Sequence, residues 1–517
     1  MEMKNEHIFD KKMSRREFLK RGGKTGAAIV LASTLSKNLF ASGKEEKGVE
    51  KAAFEVIGAT PKERALNSAK ELAKNYSGAG ITVMAPTGSL GNMKPFAKEW
   101  EDFTGVPVTF FEGGYGMDYV SRISQETVSK TGEFDIAIPP PSHVPTFAAA
   151  KLAVDLTDWV KRYNPELDGP NGVIPPLDKY GCTYKGRNYM MDTDGDAWVT
   201  YYRTDYLTNP KEQKNFKAKF GYDLKVPETF PEYADHLKFF NRPDEGFYGG
   251  CNMFGPFTSK WMFFQAYTSK GKFYFNDNME PEINSKEGVE ALQYLQDIAE
   301  YQIPGAFSFD WGGVYGAMTD AAAYSTHTWV SFANYNNREG SKTRGKITPA
   351  LAPGWDIKGT VCHATPMADS WSYIVSAYSK YPELAYLWVQ YNQSPQVSTK
   401  AIMAEGGYFD PFRKNHFEDP EVQERFGMPV LDALLASLKV SFPDVILVGG
   451  AEYMDLLDKE VQAAVTGIKT AKKALDDAAA KWEEVTERYG REGQLEQWNW
   501  LKQFYPQSVR DAAARKA

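Results

Sequence analysis

The chain has 517 residues, 42% hydrophobic and 25% charged, a folding composition too long for one ordinary domain. Its formal charge of −7 divides unevenly: the first 43 residues hold nine Lys or Arg against four Asp or Glu, leaving −12 for the rest. So acidic a body argues against nucleic acid or an anionic membrane surface as partner. Cys182, Cys251 and Cys362 lie far apart, which excludes zinc-ribbon, iron–sulfur and thioredoxin spacings. Three buried thiols are expected, with one disulfide and a leftover thiol as the other arrangement. No apolar run is long enough to span a membrane.

In chain order, Ser14-Arg15-Arg16-Glu17-Phe18-Leu19-Lys20 precedes a weakly apolar stretch, Ala27 to Leu35. This resembles the twin-arginine export signal, with Arg15 and Arg16 as its signal residues. The competing reading is a basic amphipathic start of a cytoplasmic protein. Small residues at Ala41-Ser42-Gly43 offer a cleavage site, and no cysteine precedes Cys182 to carry a lipid. The export reading predicts a product free in the periplasm, with no membrane insertion after cleavage.

Residues 44–79 read as a charged linker and a helix through Ala65, Leu66, Ala69, Leu72 and Ala73. Ile81–Met84, Val106–Phe111 and Phe134–Ile138 read as strands. Between them, Met93, Phe96, Trp100 and Phe103 mark one helical face, stopped by Gly105. Met117, Val120, Ile123 and Thr127 mark another. Strand and helix alternating in this way predict a parallel sheet with right-handed crossovers and a ligand beyond the carboxyl ends of its strands. Farther on, Asn284 with Glu287 reads as a capping box opening a helix through Val289, Leu292, Leu295 and Ile298. Leu475, Trp482, Val485 and Tyr489 predict a late helix closed by Gly490.

A set of short motifs then falls in a fixed order. Tyr184-Lys185-Gly186-Arg187-Asn188-Tyr189 leads to Asp194-Gly195-Asp196 and to Tyr201-Tyr202-Arg203-Thr204-Asp205-Tyr206-Leu207. Val226-Pro227-Glu228-Thr229-Phe230-Pro231-Glu232-Tyr233 follows, then Ile283-Asn284-Ser285 with Gly288-Val289 and Ala291-Leu292, then Gly467 with Ala474-Leu475. Together these resemble the bacterial extracellular solute-binding proteins that serve ABC sugar importers, over roughly Ile81 to Gly490. Two positions depart: Ala368-Asp369-Ser370-Trp371 replaces the family's Gly-Gly-Trp, and Phe230 replaces a Trp.

The resemblance implies an α/β, two-lobed periplasmic-binding-protein fold, with hinge strands and a ligand cleft. Its parts would be the signal (1–43), a linker and helix (44–79), lobe 1 (80–196 plus 362–415), lobe 2 (197–361 plus 416–490) and a C-terminal helical extension (491–517). It implies a monomer that captures a carbohydrate or polyol and delivers it to the transmembrane subunits of an ABC permease. It implies no enzyme, no cofactor and no metal.

Sugars and polyols need aromatic planes for their C–H faces and carboxylates or amides for their hydroxyls. Tyr115, in Gly113-Gly114-Tyr115-Gly116, is a ligand contact or a surface tyrosine on a turn; Ser142, after Pro139-Pro140-Pro141, is a candidate hydroxyl partner. Asp194, Asp196 and Trp198 fall at the first lobe crossing, where the family places polar contacts. Asp192, Asp194 and Asp196 also open like a calcium loop, but Ala197 and Arg203 stand where its glycine and twelfth ligand belong. Trp261 and Trp329 come from the second lobe, and Asp369, Trp371 and Tyr408 return from the first; Trp311 reads as core. His327 and His363 lack metal-ligand spacing and read as ordinary polar residues.

Rival functions divide by class. No GxGxxG, CxxC, HExxH, P-loop or GxSxG pattern supports an exported oxidoreductase or hydrolase, and turnover would identify a glycoside hydrolase. A sensor subunit, or an amino acid or organic acid as ligand, keeps the same fold. The acids at the predicted site oppose an anionic ligand.

Overall fold

A computed structural model describes residues 54–175, 177–367, 370–405 and 407–516. The signal residues Arg15 and Arg16 and the candidate contact Asp369 lie outside the described residues.

Helix α1 (Pro61–Ala73) opens the body. Thr60 caps it, accepting from the Glu63 N–H while Glu63 reaches back to the Thr60 N–H, so two otherwise unpaired donors are satisfied. Strand β1 (Ile81–Ala85), helix α2 (Lys94–Thr104), strand β2 (Val108–Glu112), helix α3 (Gly116–Ser129) and strand β3 (Ile136–Ala137) follow. β1 pairs in parallel with both β2 and β3, as the alternation predicts. Gly105 ends α2 in the left-handed region at φ 74°, a conformation that glycine adopts without a Cβ penalty. Two members of the predicted helical faces turn outward: Phe103 is 40% exposed beneath Lys70, and Met117 is 38% exposed.

After β4 (Met191–Asp192) the chain enters a second sheet through β5 (Trp198–Arg203). Helix α4 (Phe230–Phe240), strand β6 (Tyr248–Gly250), helices α5 (Ser259–Thr268), α6 (Lys286–Ala299) and α7 (Trp311–Thr319), and strands β7 (Ala323–Trp329) and β8 (Ile347–Ala350) complete it. The order is β8-β5-β7-β6, with β6 and β7 parallel and the other pairs antiparallel. The cap of α6 is Ser285, which accepts from the Gly288 N–H; Asn284 instead donates to Asp476 on a later helix. That corrects the predicted capping box by one residue.

Strand β9 (Ser372–Val375) returns to the first sheet and lies between β3 and β4, antiparallel to both, giving the order β2-β1-β3-β9-β4. Helix α8 (Pro382–Gln393) then packs on α1, its Gln390 amide donating to Pro61 O. Helices α9 (Gly450–Val465) and α10 (Ala471–Tyr489) cover the second sheet's helical layer, and Gly490 closes α10 at φ 89°. A final pair, α11 (Arg491–Leu501) and α12 (Gln507–Lys516), forms the C-terminal extension. All three cysteines are free and buried, and burial pushes the Cys182 and Cys251 thiols above their ordinary range.

Candidate ligand-binding site

The carboxyl ends of β1, β2 and β7 and the crossing from β4 to β5 converge on one cavity. Pro86 follows β1. Tyr115 stands just before α3, in the loop after β2, and stacks on Trp371, just before β9, with ring centroids 6.4 Å apart and planes 22° from parallel. Trp311, the first residue of α7, faces Tyr408 at 4.8 Å and Tyr315 at 5.5 Å. The Tyr408 hydroxyl donates to Thr87 O at 3.0 Å, and its N–H to Asn92 Oδ1 at 3.0 Å, so the late loop is fastened to the end of β1. Gly88 permits this approach: it sits at φ +94°, and a Cβ there would meet the Tyr408 ring. Trp329, at the end of β7, and Ser331 complete the wall with Phe409.

The polar floor comes from Asp194 and Asp196, with Asp410 fully buried beside them. One carboxylate oxygen from each lies within 4.8 Å of the other two, and all three residues are buried. The backbone holds them in place. Asp194 Oδ1 accepts the Asp410 N–H at 2.6 Å, Gly195 N–H donates to Asp410 O at 3.2 Å, and Ser370 Oγ–H donates to Asp194 O at 2.7 Å. Gly195 is required here, because a Cβ would collide with Pro411 O. Burial pushes the Asp194 acid up to about 8 and raises Asp410 well above the carboxylate range, the latter reinforced by the Asp194 charge. No basic residue lines the cavity, whose volume is about 30 Å³. The cluster's spacing would let its three oxygens share one small cation, but Asp192 of the failed calcium motif is not part of it.

Of the residues singled out from sequence, the structure brings Tyr115, Asp194, Asp196, Trp329, Trp371 and Tyr408 to this cavity. Three others lie elsewhere. Trp198 and Trp261 are fully buried behind Trp329, at 5.8 and 6.2 Å from its ring, and Trp261 Nε1–H donates to Asp444 Oδ1 at 2.9 Å. They support the wall and do not form it. Ser142 lines a separate crevice with His143, Phe257 and Lys260. Trp311 is the reverse correction: read as core, it is half-buried and lines the cavity. Tyr315, Ser331, Phe409 and Asp410 were missed. The signal for the last two was the run Tyr408-Phe409-Asp410-Pro411, an aromatic pair and an acid held by a turn-forming proline.

His327 is core: it bonds Thr200 Oγ1 at 2.6 Å and Gln265, and burial lowers its pKa to about 3. A larger groove of about 850 Å³ lies against α12, lined by Lys272, Asp277, Glu287, Lys502 and Arg510. Its charges of both signs pair across it, as in Lys502 with Asp277 and Lys272 with Glu287, and it lacks the paired aromatic planes of the smaller cavity.

Comparison with known proteins agrees with this architecture. Residues 87–398 match the family model of the bacterial extracellular solute-binding proteins. A relative from Sinorhizobium fredii, described as a probable amino-acid ABC transporter periplasmic-binding protein, is 23% identical over 82% of this chain and 94% of its own. An ABC transporter solute-binding protein from Agrobacterium radiobacter, solved with ribitol, superposes with a TM-score of 0.68 at 23% identity, covering 79% of this chain and 99% of its own. Maltose-bound MalE3 of T. maritima gives 0.68 at 20% identity, covering 79% and 100%. A protein from Agrobacterium vitis with bound D-mannitol gives 0.64 at 16% identity, covering 80% and 99%. The matched family spans well over half of the sequence: the chain belongs to the bacterial extracellular solute-binding proteins, the substrate-binding components of ABC transporters.

Proposed function

We propose that this protein captures a carbohydrate or polyol in the periplasm, after twin-arginine export, and delivers it as a monomer to an ABC permease. The observation that carries this reading is the pairing of aromatic planes, Tyr115 with Trp371 and Trp311 with Tyr408, around a floor of carboxylates. Flat C–H faces of a sugar stack on such planes, while its hydroxyls donate to carboxylate oxygens. Ribitol, mannitol and maltose in the structural relatives support the same class.

The lobes are inferred as 80–196 plus 362–415 and 197–361 plus 416–490, each set containing one of the two main sheets. The cavity holds about 30 Å³, on the order of the share of one liquid water. A sugar-sized solute therefore enters only when the walls part, and closure on ligand is the general behaviour of periplasmic binding proteins. An amino-acid ligand is the second reading, favoured by the description of the Sinorhizobium relative; the lack of a basic residue in the lining opposes its carboxylate.

A thermal-shift screen of sugars, polyols, amino acids and organic acids tests the choice. A hit among sugars or polyols raises the melting temperature with the logarithm of concentration. A shift from amino or organic acids alone overturns the substrate class and keeps the family.

A further inference from the structure

The floor of the cavity is more acidic than a neutral solute requires. Three buried carboxylates crowd within 4.8 Å, and no lining residue carries a positive charge. The buried guanidinium of Arg413 is engaged elsewhere, donating to the carbonyls of Gln393, Glu166 and Asn171. Asp410 supplies a second, independent sign. It is fully buried with a carboxylate oxygen in the cluster; the Val330 and Ser331 N–H groups and the Asp196 carboxyl lie close to it, yet neither oxygen receives a hydrogen bond of ordinary geometry. Buried acceptors are rarely left so, and a buried acid that is neutral in the empty site ionises when a cation is seated against it.

The walls point the same way, because the negative faces of Trp and Tyr attract cations. We propose that the solute carries a protonated amine, seated on Asp194, Asp196 and Asp410 beside the faces of Trp311, Trp371 and Tyr408. The class is an amino sugar or amino polyol. An ammonium offers three N–H donors, one for each carboxylate. A hard divalent ion takes six or more oxygens, and beyond the carboxylates the side chains of the lining offer only the hydroxyls of Tyr115, Tyr315, Tyr408 and Ser331. This inference rests on the hydroxyl-rich solute proposed above and narrows it.

Isothermal titration of the full chain with matched probes tests it: glucosamine against glucose and N-acetylglucosamine, glucamine against sorbitol, with putrescine and calcium alone as further arms. The amino member of a pair is expected to bind at least about 10-fold more tightly than its neutral partners, with the advantage lost on acetylation. Equal or tighter binding of the neutral member overturns the amine and leaves the carbohydrate reading standing. Binding of putrescine, with no hydroxylated probe recognised, overturns the carbohydrate reading and leaves the cation. A melting shift from calcium alone that competes with the amine overturns the ammonium assignment, and so does silence from every amine up to roughly 10 mM.

Asp196→Asn keeps the shape and removes one charge, and Asp410→Asn is the companion variant. Each should weaken the amino ligand by about 100-fold and the neutral one by much less. A uniform loss for both ligands, in variants whose melting curves show them folded, overturns the proposal.

Discussion

The five-stranded sheet ends its parallel strands in open loops, whereas the two central strands of the four-stranded sheet are covered on both faces. Every residue of β5 and of β7 is buried, and Trp198, Trp261 and His327 pack edge-on between the strands and the helices above them. In the first sheet the loops after β1 and β2 supply the buried Pro86 and the half-buried Tyr115 to the cavity. Trp198 and Trp261 lie behind the wall, whereas Trp329, at the end of β7 in the same covered sheet, lines the cavity together with Tyr115 and Trp371 at the loop ends. The same residue type thus serves two purposes, and its depth behind the wall decides which.

Four substitutions or titrations sharpen that contrast. The largest effect is expected from Trp198→Ala, which empties a fully buried site and should cost about 3–5 kcal/mol of folding stability in a denaturant titration. A loss near zero would move Trp198 out of the supporting layer. Next comes Gly195→Ala. Its Cβ collides with the Pro411 backbone, so a loss of about 1–3 kcal/mol is expected together with displaced Asp194 and Asp196 and weakened binding. Trp311→Ala should do the opposite of Trp198→Ala. Affinity should fall about 10-fold or more while folding stability changes by roughly 1 kcal/mol or less. Equal losses in stability from both variants would erase the distinction between wall and support.

The last effect is a pH slope in the ligand-free protein. Burial holds His143, His236 and His327 down to about 3, so the stability they contribute is present above the ordinary histidine value near 6.5 and is lost as pH falls toward 3. Asp194, raised to about 8, and Asp192, raised to about 7, act in the other direction. Their contribution is present below the ordinary carboxylate value and is lost as pH rises through 7 to 8. The two sets oppose each other between about pH 4 and 6.5, and above that the aspartates act alone. Stability should therefore decline from pH 6.5 to 8, by up to about 1.4 kcal/mol per unit for each acid, and Asp194→Asn should flatten that limb. An unchanged slope in the variant would take Asp194 out of the linkage.

How much of this was legible beforehand follows from exposure patterns. Ile81–Met84, Val106–Phe111 and Phe134–Ile138 were readable because short apolar runs alternate there with helical periodicity. The covered sheet gives no alternation: Trp198-Val199-Thr200-Tyr201-Tyr202-Arg203 is buried at every position, so period two disappears. Phe103 shows the reverse error, an apolar residue at the right spacing that rests under Lys70 at the surface. In the site, Asp194 and Asp196 announced themselves by the Asp-Gly-Asp turn. Asp410 did not, since its partners are more than 200 positions away and only the fold assembles them. Trp198 and Trp261 misled because depth behind a wall has no sequence signature.

The insertion of β9 between β3 and β4 bears on how the protein is made. A chain synthesised only as far as β8 holds β1, β2 and β3 in one piece and β4 in another, with the strand that joins them still missing. Both flanks of that gap expose unpaired backbone groups, the kind of edge that recruits other chains. Closure must await Ser372–Val375, and Asp410 follows later still. Such long-range pairing is slow to form and vulnerable while it forms. A nascent chain thus completes its sheet, and soon after it the acidic floor of the cavity, in the last third of synthesis, and a truncation before residue 372 should yield insoluble protein.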